Sequence, residues 1–145
     1  DVHLIIPAKI NGYNVTEIEN SAFKDNVNIK SVTFSEGLKK IGGAAFSGCV
    51  NLTGTVTLPS TLTSINYDWG NNGGAFSGTS ISKVVFKDGT DKLTVDRYAF
   101  SSCKSLTEVS LPSNISNVGP YTFDGDSSLE KVTFKDGSLR INYQW

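Results

Sequence analysis

The chain has 145 residues and a formal net charge of −1, with 38% hydrophobic and 19% charged residues. This composition is typical of one globular domain of ordinary size and excludes a disordered segment. Basic and acidic residues are interleaved along the sequence, whereas phosphate binding needs a concentrated basic surface. We therefore expect no nucleic-acid partner.

Two further classes of protein are disfavoured by the residues that are scarce. No apolar run approaches the roughly 18 to 20 residues that a membrane helix requires, so we expect no membrane insertion. His3 is the sole histidine, and it lies at the start of the chain, which argues against Ser-His-Asp or Cys-His catalysis and histidine-based zinc sites. We expect neither enzymatic activity nor a cofactor.

The first predicted element is the strand-like opening VHLIIP, residues 2–7, and it begins a pattern that repeats along the chain. The pattern is marked by Ala-Phe or Thr-Phe dipeptides whose phenylalanines are spaced 23, 30, 24 and 23 residues apart. These phenylalanines are Phe23, Phe46, Phe76, Phe100 and Phe123. After each come an aliphatic residue, a short alternating run, a turn with proline or Lys-Asp-Gly, and a pair of aliphatic residues.

Each unit combines a strand with a tight turn. In EVSL the alternation places Val109 and Leu111 inward and Glu108 and Ser110 outward, as in a half-buried strand. The AAFSGC type of segment favours about one helical turn, too short to be stable by itself. Because one unit cannot fold alone, units must stack. The sequence predicts an α/β repeat solenoid with a parallel sheet on one face and short helical turns on the other.

These repeated residues resemble the BspA-like leucine-rich repeats. The pattern L-x-x-V-x-[FIL]-P-x-x-[LIV]-x-x-I-x-x-x-A-F-x-x-C is clearest in LTEVSLPSNISNVGPYTF, residues 106–123, and LKKIGGAAFSGC, residues 38–49. The opening IPAKINGYNVTEIENSAF resembles the first repeat of such arrays. The resemblance implies a right-handed leucine-rich-repeat superhelix and a single domain over residues 1–145, with about five complete units of about 23 residues and partial units at the ends.

The same resemblance implies a function. Members of this family are extracellular or cell-surface proteins associated with adhesion to host or partner proteins, so a protein partner and a monomeric state are expected. The chain has no methionine, even at position 1, and no polar cap at either end, which predicts a piece of a longer array.

The outward positions of the alternating runs form the first candidate binding surface. They are Ser31, Thr33, Thr55, Thr57, Lys83, Val85, Glu108, Ser110, Lys131 and Thr133. Small hydroxyls and isolated charges suit a flat binding face, but threonine also simply favours exposed strand positions. The sequence leaves both interpretations open.

The second candidate surface is an insertion. Three residues separate the second aliphatic residue from the Ala-Phe or Thr-Phe dipeptide in other full units, but nine residues, 66–74, do so in the third. This loop contains Tyr67, Asp68, Trp69, Asn71 and Asn72. Aromatic and amide side chains together suit a sugar platform or a protein hot spot, yet they can equally fold back over the core. RINYQW, residues 140–145, mirrors SINYDW, residues 64–69, so the insertion marks a repeat subtype.

Two cysteines and an acidic run have mainly structural interpretations. Cys49 and Cys103 occupy one column two units apart, about 9 to 10 Å, whereas a disulfide needs less than about 7 Å. We predict two free, buried thiols. DGDSSLE, residues 124–130, resembles a calcium loop but lacks its glycine and final glutamate. We expect Asp126, which stands in the cysteine column, to accept a backbone N–H bond.

The sequence thus favours non-enzymatic protein binding. Carbohydrate or glycan binding through the Tyr67–Trp69 loop is the first alternative. A structural spacer without a ligand of its own is the second.

Overall fold

The computed structural model describes residues 1–134 and the backbone of residues 140–141. Within these ranges the chain forms short strands and turns and no helix, so no helix there is long and apolar enough to cross a membrane. In chain order the strands are β1 (Val2–Ile6), β2 (Lys9–Ile10), β3 (Tyr13–Asn14), β4 (Glu17–Ile18), β5 (Ile29–Phe34), β6 (Lys40–Ile41), β7 (Thr53–Leu58), β8 (Ser64–Ile65), β9 (Tyr67–Asp68), β10 (Gly73–Gly74), β11 (Ser80–Phe86), β12 (Leu93–Val95), β13 (Glu108–Leu111), β14 (Ile115–Val118), β15 (Lys131–Phe134) and β16 (Arg140–Ile141).

The alternating runs of successive units form the main sheet. Its strands are parallel and pair in the order β15-β13-β11-β7, while β1 pairs with β5 as a separate two-stranded ladder. Equivalent residues of successive units lie opposite each other, as Lys83, Glu108 and Lys131 do. The predicted parallel sheet is confirmed.

The aliphatic pairs form a second parallel sheet, in the order β16-β14-β12-β8-β6-β4. Ile18, Ile41 and Ile65 lie opposite one another in adjacent strands, and all three are buried. The core is thus enclosed by two sheets and by the Ala-Phe segments that connect the second sheet to the next main-sheet strand.

The Ala-Phe segments are turns, so the expected helical turns, and the α/β class with them, are wrong. In the second unit Ser47 N donates to Ala44 O inside the turn at 3.2 Å, but Phe46 N donates to Ala75 O of the next unit at 2.7 Å. A helix would need both N–H groups for itself. Ala44 and Tyr98 also have φ of 56° and 57°, outside the right-handed helical region.

A stack of phenylalanine rings runs through the core from unit to unit. The ring centroids of Phe46 and Phe76 are 5.1 Å apart, and those of Phe76 and Phe100 are 5.3 Å apart, with nearly parallel planes. Phe23 and Phe123 extend the stack at its two ends. The Ala-Phe repeat therefore encodes one continuous hydrophobic column.

The two cysteines are free and buried, as predicted. Each thiol also makes a contact that the sequence did not indicate. Cys49 Sγ donates to Phe23 O at 3.1 Å and Cys103 Sγ to Phe76 O at 3.2 Å, in both cases across to the preceding unit. Burial raises the pKa of Cys103 to about 12 and also raises that of Cys49, so both remain protonated donors at neutral pH.

Asp126 occupies the cysteine column in the last complete unit described. Its Oδ1 accepts the backbone N–H of Cys103 at 2.7 Å, which confirms the expected structural role, although the donor belongs to the preceding unit. Burial raises the pKa of Asp126 to about 7, and the nearby Asp124 carboxylate acts in the same direction. Among the described residues, no group of three or more His, Cys, Asp or Glu side chains is placed to hold a metal ion.

Candidate functional site

The insertion of the third unit folds into a β-hairpin, residues 66–74, directly after β8. Its strands β9 and β10 are antiparallel, with Tyr67 opposite Gly74 and Asp68 opposite Gly73. Residues 69–72 connect them. The insertion is therefore an ordered element of defined register.

Asp68 organises the tip of this hairpin. Its Oδ1 accepts the backbone N–H groups of Gly70 and Asn71 at 2.9 and 3.2 Å, and its Oδ2 accepts Asn71 Nδ2 at 2.7 Å and Ser21 Oγ at 3.1 Å. These bonds, the Asn71 amide foremost, hold the pKa of Asp68 below its ordinary value. The side chain is only 6% exposed. Asp68 thus positions the loop and has little surface left for a ligand.

Glycines let the hairpin lie flat against neighbouring units. A Cβ atom on Gly43, in the unit before, would collide with the backbone of Tyr67 and Asp68. A Cβ atom on Gly74 would likewise collide with the backbone of Tyr98, in the unit after. Gly43 is the sequence signal of this contact, but the hairpin that packs on it lies more than twenty residues away.

Tyr67 extends a stack of tyrosine rings. Its centroid is 5.8 Å from that of Tyr98, which in turn lies 5.1 Å from Tyr121 with an interplanar angle of 13°. Tyr98 and Tyr121 each stand two residues before the phenylalanine of their unit, where the third unit has Gly74. The hairpin thus supplies the ring that this position lacks. Sequence reasoning missed Tyr98 and Tyr121, although their common position was a usable signal.

Trp69 is the most exposed aromatic side chain of the hairpin, at 67%. It meets the Tyr67 ring edge-on at 5.0 Å. Arg97 Cζ lies 4.5 Å from the Trp69 ring centroid and 5.9 Å from that of Tyr67. Asn71 and Asn72 are exposed beside it. Arg97, like the tyrosines, was not predicted from the sequence.

A groove of about 320 Å³ opens next to the hairpin. Its lining residues are Tyr67, Asn72, Gly74, Ser77, Tyr98 and Ser101. Asn72 Oδ1 accepts a hydrogen bond from Tyr67 Oη at 3.2 Å, and the Ser77 and Ser101 hydroxyls are 2.8 Å apart. The groove is therefore walled by two tyrosine rings and offers hydroxyl and amide groups.

The ten sheet-face candidates lie on the main-sheet strands, and none of them is fully buried. The register aligns eight of them in two columns across β7, β11, β13 and β15, whereas Ser31 and Thr33 lie on β5, which pairs with β1. Lys83 Nζ lies 3.5 Å from Glu108 Oε2 within one column. The structure does not join this surface to the hairpin, which packs on the Ala-Phe segments.

The main sheet is interrupted between β5 and β7, which form no ladder with each other. Two features in and next to β7 accompany the break. Gly54, with φ of 75°, makes the spacing from Leu52 to Val56 one residue longer than in the other units, and Pro59, directly after the strand, has no N–H to donate. A groove of about 200 Å³ lies there, lined by Val32, Thr33, Phe34, Thr55, Thr57, Pro59 and Lys87.

Glu36 lies near the end of this groove. Its Oε2 accepts a hydrogen bond from Ser60 Oγ at 2.7 Å, and its Oε1 is 3.9 Å from Lys87 Nζ. The Ser60 hydroxyl holds the pKa of Glu36 below its ordinary value. Glu36 therefore carries a negative charge at neutral pH beside Lys87.

Comparison with known families identifies the repeat. The family model of the BspA type leucine rich repeat region matches residues 16–145 in six copies. The chain belongs to the BspA-type leucine-rich-repeat family. Repeats of this type are generally protein-interaction modules and typically lack enzymatic activity.

Solved structures of bacterial leucine-rich-repeat proteins share the fold. A Treponema pallidum leucine-rich-repeat protein aligns with 88% of the chain and 56% of its own length, at 27% identity and a TM-score of 0.72. A Bacteroides ovatus leucine-rich-repeat protein aligns at 23% identity and a TM-score of 0.55, over 90% of this chain and 39% of its own. A leucine rich cell surface protein of Faecalibacterium prausnitzii aligns at 19% identity and a TM-score of 0.51, over 91% and 47%.

The aligned structures are all longer than this chain. The BspA-type chain spans only 39% to 56% of the length of these three structures. No curated protein matches the sequence at a significant level.

Proposed function

We propose that this domain is a non-enzymatic adhesion module that acts outside the cell or at its surface, as a monomer, and binds a protein partner on its main-sheet face. The surface location rests on the resemblance to BspA-like proteins. The observation that carries the proposal is the groove between β5 and β7. The groove is a concave site on a sheet face that is otherwise flat.

The groove has the chemistry of a docking point for a partner's side chain. Thr33, Thr55 and Thr57 border it with hydroxyl and methyl groups, and Lys87 adds a positive charge at one end. The two strand edges that face each other across the groove form no ladder. Because a repeat scaffold holds such edges rigidly, this domain loses little conformational entropy when a partner binds there.

The test uses a panel of purified fibrous and cell-surface proteins from which the glycans have been removed. We expect at least one of them to bind the chain with a Kd in the micromolar range or tighter, measured by surface plasmon resonance. Thr55→Arg fills the groove and should weaken that binding about tenfold or more. The matched control is Thr94→Arg, an exposed threonine on β12 of the second sheet, which should leave the Kd unchanged.

Two results would contradict the proposal. Absence of binding to every panel protein at about 100 µM would favour a structural spacer. Equal loss of binding in Thr55→Arg and Thr94→Arg would show that the main-sheet face is not the docking surface.

A second candidate function, glycan binding by the hairpin, is favoured by the groove of about 320 Å³ beside it. Tyrosine walls, an asparagine amide and two serine hydroxyls match the pairing of aromatic and hydrogen-bonding groups that sugars require. Trp69 adds an open aromatic face.

Isothermal titration with glycans selected on an array tests this candidate. We expect Trp69→Ala to abolish sugar binding while it leaves the binding of deglycosylated proteins intact. Sugar binding that survives both Trp69→Ala and Asn72→Ala would place the sugar elsewhere on the domain.

A further inference from the structure

We propose that the glycan bound at the hairpin is acidic, with a sugar ring on Trp69 and the sugar carboxylate paired with Arg97. This inference rests on the second candidate function above and names its ligand class.

Aromatic side chains hold Arg97 in place. Its Cζ lies 4.5 Å from the Trp69 ring centroid and 5.9 Å from that of Tyr67. Stacking of this kind orients a guanidinium plane and removes part of its water. The cation is thus fixed at the tip of the hairpin, beside the most exposed ring of the site.

The terminal N–H groups of Arg97 are open to a ligand. A guanidinium carries five N–H donors; the one on Nε is buried and inaccessible, but the side chain is 37% exposed and its terminal nitrogens make no hydrogen bond within the described part of the chain. Asp96 Oδ1 is 3.8 Å from Nε, too far for a hydrogen bond, and it already accepts the backbone N–H of Arg97 at 2.7 Å. The carboxylate of Asp68, the residue before Trp69, makes four hydrogen bonds of its own. An oriented, partly dehydrated guanidinium is suited to bind an external carboxylate.

The surroundings favour a sugar over a peptide as the bearer of that carboxylate. The adjacent groove is lined by two tyrosines, an asparagine, a glycine and two serines, so its walls offer hydrogen bonds and no aliphatic pocket for a peptide side chain. Trp69, 67% exposed, offers a face on which the C–H groups of a pyranose can stack. A uronic or sialic acid combines that apolar face, the hydroxyls and the carboxylate in one residue. A neutral sugar would leave the terminal N–H groups of Arg97 without a hydrogen-bond partner.

The test compares oligosaccharides that contain a uronic or sialic acid with their carboxyl-reduced counterparts, by titration calorimetry at low and high salt. We expect the natural chain to bind the acidic forms at least tenfold more tightly, with a preference that shrinks as salt rises. Arg97→Gln should abolish the preference and preserve the weaker binding of the neutral forms. Arg97→Lys should retain part of it, and Trp69→Ala should abolish binding of both forms.

Lys104→Gln removes a positive charge at an exposed position outside the hairpin and should leave the preference intact. Equal affinity for acidic and reduced sugars, unchanged in Arg97→Gln, would overturn the acidic-ligand proposal and leave glycan binding by the hairpin standing. Absence of binding to any sugar would overturn both. Arg97-dependent binding of polyglutamate without sugar binding would assign the site to an acidic peptide and would also overturn the proposal.

Discussion

At the scale of single residues, two carboxyl groups respond to burial in opposite ways. Asp68 is buried among four hydrogen-bond donors, which favour its charged form and hold its pKa low. Asp126 receives one backbone N–H on Oδ1, while its Oδ2 is buried without a partner among the described residues, so desolvation dominates and its pKa rises to about 7. The number of donors, and not burial itself, decides the direction.

Asp126 makes the folded state less stable as the pH rises. In the unfolded chain its pKa is near 3.8, and in the folded state about 7, so between these values the folded state binds more protons. Stability therefore falls between about pH 4 and pH 7 and levels off above that range. Solvent reaches part of the side chain and screens the effect, so we expect a loss of about 1 kcal/mol. Urea denaturation at a series of pH values measures it.

Asp126→Asn is the matching variant, because its amide oxygen still accepts the Cys103 N–H bond. It should match the natural chain at pH 4 and exceed it in unfolding free energy at pH 8. An unchanged slope between pH 4 and pH 7 in the variant would assign the pH dependence to other groups. Asp68 acts in a separate window, since its lowered pKa contributes stability that is lost only as the pH falls below about 4.

At the scale of elements, the position of the hairpin could be predicted from the sequence, but its contacts could not. The repeat register located the insertion, because nine residues replace three after Ile65. It could not show that Asp68 turns inward to Ser21, or that Tyr67 joins Tyr98, because those contacts link separate units. The main sheet, in contrast, could be predicted, because alternating hydrophobicity is a local pattern that lies within the few residues of one strand.

The prediction of helical turns in the Ala-Phe segments was wrong because the features that exclude a helix cannot be read from the local sequence. Small residues around phenylalanine suit a helical turn, but Ala44, Tyr98 and Tyr121 adopt positive φ. Such a conformation is rare for residues other than glycine, asparagine and aspartate, so no sequence rule assigns it to alanine or tyrosine. In the segments of Ala44 and Tyr98 it accompanies N–H bonds to the next unit, from Phe46 and Phe100, which a helix would forbid.

Gly43 tests whether the hairpin depends on the unit that precedes it. A Cβ atom at Gly43 would overlap the backbone of Tyr67 and Asp68, so Gly43→Ala must displace the hairpin. We expect a loss of about 1 to 3 kcal/mol in unfolding free energy, the usual cost of overpacking. Gly70→Ala is the control, since its Cβ atom would approach no closer than 3.3 Å to Asp68 Oδ1. Equal stability of the two variants, measured by urea denaturation, would mean that the hairpin is not seated on Gly43.

At the scale of the whole molecule, stability is distributed along stacked columns. The phenylalanine rings, the second sheet and the bonds between Ala-Phe segments all join each unit to its neighbours. A solenoid of this kind is stabilised by nearest-neighbour interfaces rather than by one central core. A break between β5 and β7 in the main sheet is tolerated because the other connections between those units persist, as β6 and β8 remain paired.

This arrangement predicts that position in the stack sets the cost of removing a ring. Phe76 is fully buried and stacks on Phe46 and Phe100, whereas Phe23 is half-buried and stacks on Phe46 at the start of the column. We expect Phe76→Ala to cost about 3 to 5 kcal/mol and Phe23→Ala about half as much. Because Phe76→Ala weakens two interfaces in the middle of the array, its urea transition should also broaden, with amides on the two sides of the third unit losing hydrogen-exchange protection at different free energies. Equal costs for the two variants, with one sharp transition in each, would show instead that the array unfolds as a single unit whose stability is insensitive to position.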